Sequence, residues 1–211
     1  MTGNLANMRK NYMRNSLDET SAAVDPFDQF QTWFNEVRGT DALEANSMTL
    51  ATVDQHGAPS ARTVLLKECD QRGLVFYTNH DSRKGRNIVE NPAVALVFNW
   101  PTLERQVRIE GLASRVTDEE SDAYFQSRPV GSQIGAAASP QSEPVPDRAF
   151  LEARFERLSN SAESIRRPAN WGGYRVTPAM FEFWQGRPNR LHDRLRYDRT
   201  PHGWEIIRLA P

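Results

Sequence analysis

Four stretches of the chain group cations, hydroxyls and aromatic rings closely enough to bind anions. The first is Arg62-Thr63-Val64-Leu65-Leu66-Lys67. On a strand, Arg62, Val64 and Leu66 share one face and Thr63, Leu65 and Lys67 the other, so the two cations can serve two different anions. An edge strand guarded by charge is the structural alternative. The second is Tyr77-Thr78-Asn79-His80-Asp81-Ser82-Arg83-Lys84. It reads as a strand end passing into a helix start, where free N–H groups, hydroxyls, Arg and Lys form a phosphate seat. Plain helix capping with a solvated basic face is the alternative. The third, Tyr124 to Pro129 followed by Gly131-Ser132-Gln133, offers a phenol, a guanidinium and a hydroxyl around a helix end. Those groups suit a second phosphate monoester, or simply a cap. The fourth runs from Phe183-Trp184-Gln185-Gly186 into Arg187-Pro188-Asn189-Arg190-Leu191-His192-Asp193-Arg194. Read as extended, it puts Arg190, His192 and Arg194 on one face. An imidazole between two arginines calls for an anion and can handle protons near neutral pH.

The elements that must position these groups follow from periodicity. Residues 1–24 are polar and aperiodic, an arm that orders only where something docks it. Asp25-Pro26 opens a helix carrying Phe27, Phe30, Phe34 and Val37, and Gly39 closes it. Met48–Val53, Arg62–Glu68 and Leu74–Thr78 read as strands of a meander joined by Gly-containing turns. Asp81 or Ser82 caps a short helix that stops at Asn91-Pro92. Ala93–Asn99 and Glu104–Val116 are further strands, and Thr117-Asp118-Glu119-Glu120 is a capping box for a helix reaching about Ser127. Residues 138–147 read as a loop, and Asp147 caps a helix bearing Phe150, Leu151, Phe155 and Leu158. Gly173–Val176, Met180–Gln185, Arg194–Arg199 and Trp204–Leu209 return to strands. The pattern is mainly β with peripheral helices (α+β): a small antiparallel barrel of seven or eight strands, or a six-stranded core with extra hairpins.

Composition narrows the chemistry. The 211 residues suit one domain at 25–211 behind the arm at 1–24. A net charge of -1 argues against a nucleic-acid coat, although only Lys10, Lys67 and Lys84 among the 26 basic residues are lysines. No apolar run approaches the roughly 18 residues of a membrane span, and no secretory h-region opens the chain. The single Cys69 points to a reducing cytoplasm. There is no G-x-G-x-x-G, no P-loop and no i,i+4 histidine pair, so no dinucleotide fold, nucleotide cradle or metal site is signalled. Two phosphorylated small molecules beside an aromatic wall fit the clusters better than a nucleic acid does.

Taken in order, Arg62-Thr63-Val64-Leu65-Leu66-Lys67, Phe76-Tyr77-Thr78-Asn79, Ser82-Arg83-Lys84, Leu103-Glu104-Arg105-Gln106-Val107, Ser127-Arg128-Pro129, Ser132-Gln133-Ile134-Gly135, Phe183-Trp184-Gln185-Gly186, Arg190-Leu191-His192-Asp193-Arg194 and Arg208-Leu209-Ala210-Pro211 make the chain resemble the pyridoxine (pyridoxamine) 5′-phosphate oxidase family. The resemblance implies an antiparallel split β-barrel of the FMN-binding type, a homodimer with FMN at the subunit interface. It implies FMN contacts from Arg62, Val64, Leu65, Tyr77, Thr78, Ser82, Arg83, Lys84, Gln106, Gln141, Ser142, Trp184 and Arg194, some from the other subunit. Lys67, Tyr124, Arg128 and Ser132 match the residues that hold the substrate phosphate. Arg190 and His192 match those facing the pyridine ring, and Arg9 and Tyr12 an arm that covers the site in some members.

The implied reaction oxidises pyridoxine 5′-phosphate or pyridoxamine 5′-phosphate to pyridoxal 5′-phosphate by hydride transfer to the flavin. O2 is the final acceptor and gives H2O2, with NH3 released from the amine. Arg190 and His192 are the residues expected nearest the chemistry. Three other readings compete: a split-barrel flavin reductase, which has no need of a second phosphate site; a non-enzymatic carrier of flavin or pyridoxal phosphate, which makes no peroxide; and a nucleic-acid module, whose binding is salt-sensitive and colourless.

Overall fold

The structure, a computed structural model, describes residues 11–161 and 164–211. Five helices are described: α1 (Pro26–Arg38), α2 (Arg83–Glu90), α3 (Asp118–Ser127), α4 (Val130–Ala138) and α5 (Arg148–Ser159). The strands are β1 (Ser47–Val53), β2 (Pro59–Leu65), β3 (Glu68–Asp70), β4 (Gly73–Asn79), β5 (Ala93–Trp100), β6 (Arg105–Arg115), β7 (Trp171–Gln185), β8 (Asp193–Thr200) and β9 (Gly203–Arg208). They join in one sheet in the order β2-β1-β5-β6-β7-β4-β3, with β8 on β7 and β9 on β8. By contacts the chain divides into two compact units.

The first unit comprises residues up to 48 with 96–110 and 178–211. Its helix α1 starts as the sequence predicts: the Asp25 carboxylate accepts the Phe27 N–H at 2.7 Å, Pro26 occupies the first turn and Gly39 caps the end. Phe27, Phe30 and Val37 are buried as expected. Trp33 is buried as well, whereas Phe34 is only half-buried. The helix face meets the sheet ring on ring, with Phe27 5.1 Å from Phe181, Phe30 5.0 Å from Phe98 and Trp33 5.3 Å from Phe183. Each buried large side chain contributes about 1.5–3 kcal/mol, so these pairs hold α1 in place. β7 pairs antiparallel with β8 from Met180↔Asp198 to Gln185↔Asp193, and β8 with β9.

The second unit comprises 49–95 and 111–177. β4 pairs antiparallel with β7 from Leu74↔Val176 to Asn79↔Trp171, and with the short β3. Three expectations are corrected. The strand expected over Arg62–Glu68 is broken after Leu65, because β2 lies beside β1 while β3 pairs with β4. The Lys67 N–H marks the change of partner, donating to the Val75 carbonyl at 2.8 Å. The two strands expected at 173–176 and 180–185 are one 15-residue strand, β7. Its partner changes from β4 to β8 around Pro178, a position with no N–H to donate. Helix α4 went unread because Gly131 and Gly135 weaken it and Pro129 supplies no side-chain cap. The capping box of α3 forms as read, with Thr117 Oγ1 accepting from Glu120 N at 3.1 Å and Glu120 Oε2 from Thr117 N at 3.1 Å.

Candidate functional site

In the second unit, β2, β4, the start of α2, the end of α3, α4 and the loop after it line a cavity of about 760 Å³. Arg62, Lys67, Arg83, Lys84 and Arg128 stand on its walls, and among the described residues no Asp or Glu does. Among the described residues, none of these five makes an ion pair. Five cations facing one space without a carboxylate repel one another, and an anion relieves that repulsion. Burial and like charge act together on single groups. Burial, and then the neighbouring Arg62, push the Lys84 ammonium down to about 8. Burial and Arg83 lower Arg62.

Two of the cations, Arg62 and Lys84, are aimed by neutral oxygens. The Arg62 guanidinium donates to the Leu50 carbonyl at 3.0 Å, Thr52 Oγ1 at 2.9 Å and Ser60 Oγ at 2.5 Å. Asn87 on α2 donates to the same two hydroxyls at 3.0 and 3.3 Å and so fixes their lone pairs. Lys84 Nζ donates to Thr78 Oγ1 at 3.1 Å, Ser82 Oγ at 3.3 Å and Gln141 Oε1 at 3.2 Å. Gln141 Oε1 also accepts from Thr78 Oγ1 at 2.9 Å, so the loop at 141–142 is tied to the end of β4. Ser142 beside it holds a left-handed backbone, φ +73°. Ser82 caps α2 by accepting the Gly85 N–H at 3.4 Å, and its hydroxyl donates to the Asn79 carbonyl at 2.6 Å. That turn is tight: a Cβ on Gly85 would stand 2.0 Å from the His80 carbonyl oxygen.

The other end of the cavity is aromatic. Tyr77 stacks on Tyr124 at 3.9 Å, and both lie nearly parallel to Trp171. Arg128 lies 4.7 Å from the Trp171 ring, and its Nη1 is buried with no hydrogen-bond partner among the described residues. A buried unpaired donor of this kind costs about 1–3 kcal/mol, which an anion accepting from it recovers. Lys67 Nζ stands 6.0 Å from the Tyr124 ring, and Ser132 on α4 lines the same cavity. The sequence reading missed Trp171. Its signal was the following glycine pair: a Cβ on Gly172 would meet His80 Nε2 at 2.7 Å, and one on Gly173 the Tyr77 ring at 2.8 Å. The supports of Arg62, namely Thr52, Ser60 and Asn87, were missed too: Ser60 shares its strand face two residues earlier, whereas Thr52 and Asn87 come from other elements.

In the first unit a second cluster forms. Trp184 and His192 lie 4.6 Å apart, and Tyr12 meets both edge-on at 5.7 and 5.6 Å. His192 Nδ1 accepts the Arg187 N–H at 3.0 Å, which leaves Nε2 to carry the proton. Burial and then Arg190 lower its pKa, which favours the neutral ring. The extended run expected over Arg190, His192 and Arg194 is corrected. Residues 188–190 make a single 3-10 turn, and Asn189 and Arg190 hold φ of 57° and 65°. Arg194 does not stand free beside His192: it donates to Glu182 Oε1 at 2.8 Å and to the Ala210 carbonyl at 2.8 Å. Glu182, buried and also paired with Arg108, was not singled out in the sequence. Arg190 is exposed, and Gln106 lies half-buried on β6. Arg9 lies outside the described residues. Among the described residues no group of three or more His, Cys, Asp or Glu could hold a metal ion, and no helix is long and apolar enough to cross a membrane.

The family model described as pyridoxamine 5′-phosphate oxidase matches residues 29–162, and that of the pyridoxine 5′-phosphate oxidase C-terminal dimerisation region matches 171–211. The chain is 57% identical to the pyridoxine/pyridoxamine 5′-phosphate oxidase of Burkholderia multivorans over 98% of its own length and 99% of that protein's. It is 56% identical to the protein of the same name from Bordetella petrii, over the same shares of each. Among solved structures, PhzG from Burkholderia lata 383, in complex with tetrahydrophenazine-1-carboxylic acid, superposes with a TM-score of 0.89. That match has 30% identity and covers 94% of this chain and 99% of PhzG. A pyridoxamine 5′-phosphate oxidase-related, FMN binding protein from Nostoc punctiforme PCC 73102 shares the fold at TM-score 0.73 and 17% identity, over 90% and 100% of the two chains. The expected antiparallel split barrel is therefore the fold of this chain.

Proposed function

The chain belongs to the pyridoxamine 5′-phosphate oxidase family, and from that premise we propose that it is an FMN-dependent oxidase of pyridoxine 5′-phosphate and pyridoxamine 5′-phosphate. The product is pyridoxal 5′-phosphate; O2 is reduced to H2O2, and the amine substrate also takes up water and releases NH3. The observation that carries the reading is the cavity with five cations and no carboxylate. Its lining suits two phosphate monoesters: Arg62, Thr78, Arg83 and Lys84 with Gln141 and Ser142, backed by the buried Ser82, for FMN, and Lys67, Tyr124, Arg128 and Ser132 for the substrate. The buried Lys84 with no acidic partner and the orphaned Arg128 Nη1 are the features that an incoming phosphate would satisfy.

FMN would supply the hydride acceptor. The protein's own groups would then bind and orient. Val64 and Leu65 offer backbone at the cavity wall for the flavin ring. Trp184, Arg194 and Gln106 would complete the cofactor site in a homodimer with FMN at the subunit interface, a state that the match to the dimerisation region supports. Arg190 and His192 would face the pyridine ring, with His192 Nε2–H as a fixed donor because Nδ1 is committed to Arg187. The test is optical. The purified protein should be yellow, and pyridoxine 5′-phosphate added without oxygen should bleach it; a dimer that stays colourless when offered FMN would remove the proposal. Arg190→Ala and His192→Ala should cut turnover while FMN stays bound. Wild-type turnover in both would remove those two roles.

A further inference from the structure

Glu104 lies in the turn before β6, outside both clusters of groups assigned above. It is buried and holds a left-handed backbone, φ +56°, a conformation that an L residue adopts at a cost. Its carboxylate makes no ion pair among the described residues. Instead Oε2 accepts two backbone N–H groups of the arm, from Met13 at 3.0 Å and Arg14 at 3.2 Å. Its own carbonyl accepts the Gly186 N–H at 2.8 Å and Gln185 Nε2 at 3.2 Å. One residue thus holds the arm immediately after Tyr12 and, through its backbone, the glycine on which Tyr12 rests. A Cβ on Gly186 would stand 2.7 Å from the Tyr12 ring. The other arm anchors lie further along: Arg187 Nη1 on the Asn15 carbonyl at 2.9 Å, Leu17 N–H on Asp193 at 3.1 Å, and Arg208 paired with Glu19 at 2.7 Å. Among the described residues, Glu104 holds the backbone groups that follow Tyr12 directly.

We infer that Glu104 is a positioning residue whose carboxylate seats Tyr12 on the Trp184–His192 pair and so closes the ring-facing side of the substrate site. The second half of this inference rests on the function proposed above; the first half stands without it. An ionised carboxylate gathering two adjacent N–H groups forms the strong, charge-assisted kind of hydrogen bond. Glutamine keeps an acceptor there without the charge, and alanine keeps neither.

The test is limited trypsin digestion of the full-length protein, following the cut after Arg14, with kinetics alongside. Proteolysis of a docked segment tracks how often it opens, so Glu104→Ala should be cut after Arg14 about tenfold faster than wild type, with Glu104→Gln close to wild type. Gly186→Ala, which leaves the carboxylate intact but crowds the Tyr12 ring, should be cut as fast as Glu104→Ala. It also guards against a Glu104 variant that fails to fold. In the oxidase assay, KM for pyridoxine 5′-phosphate should rise roughly fivefold or more in Glu104→Ala, with kcat within about twofold, and glutamine should restore it. Unchanged cleavage in both Glu104→Ala and Gly186→Ala would overturn the seating of Tyr12. Faster cleavage with an unchanged KM would overturn the closing role. If the wild-type protein oxidises neither ester, the proposed function fails, and the cleavage rates still decide where Tyr12 is held.

Discussion

At pH 7 the Lys84 ammonium is charged on a wall that already carries Arg62 and Arg83. Its pKa in the folded chain, about 8, lies below the ordinary 10.5. Between those values the unfolded chain keeps a proton that the folded chain has released, so the ligand-free protein gains stability from this group as pH rises through that window. Binding runs the other way. A phosphate dianion beside Nζ favours the ammonium, so above pH 8 FMN uptake draws in a proton. FMN affinity should then fall by up to about tenfold per pH unit. Quenching of flavin fluorescence at pH 7 and 9.5 checks this; Lys84→Met should bind about 1.5–3 kcal/mol more weakly at pH 7 and lose the pH slope. Arg128 gives a separate prediction. Arg128→Met should raise KM for the phosphorylated substrate by roughly ten- to a hundredfold while FMN affinity holds; an unchanged KM would take Arg128 out of the substrate site. Residue types and order made these cations legible. Of their supports, Ser60 lies two residues before Arg62 on the same strand, but Thr52 reaches Arg62 from another strand and Asn87 holds those two hydroxyls from a helix, with no local pattern to mark them.

Elements that announce their own ends were the ones read correctly. α1, α2 and α3 each start at a side-chain cap with a known sequence form, at Asp25, Ser82 and Thr117. α4 has no such cap and two glycines, and β7 changes partner at a proline that looks like a break. The turn at 188–190 was misread because alternation assumes an extended chain, and neither Asn189 nor Arg190 is extended. Gly73 gives the prediction that belongs at this scale. It holds φ +139° at the mouth of β4, and a Cβ there would stand 2.1 Å from the Val176 carbonyl oxygen. Both the conformation and the space exclude a side chain. Gly73→Ala should therefore cost about 2 kcal/mol or more and disturb the β4–β7 register that carries Tyr77 and Thr78 to the cavity. Thermal melts give the cost. Loss of FMN affinity out of proportion to the fall in Tm would show the register effect.

For the whole molecule, fold class followed from strand count and turn spacing, and the ordered motifs led to the family that the matches to residues 29–162 and 171–211 bear out. Strand order was not legible, because register and partner choice depend on contacts far apart in sequence. The proposed homodimer predicts a light-scattering mass of about twice the 24.0 kDa chain, and a mass of one chain would exclude a site shared between subunits. The cavity wall free of Asp and Glu has a last consequence, for handling the protein. A wall that carries cations and no described carboxylate does not distinguish one tetrahedral oxyanion from another by charge. Sulfate, arsenate or orthophosphate in a storage buffer should raise the melting temperature of flavin-stripped protein and compete with reloading, whereas a zwitterionic sulfonate buffer should do neither.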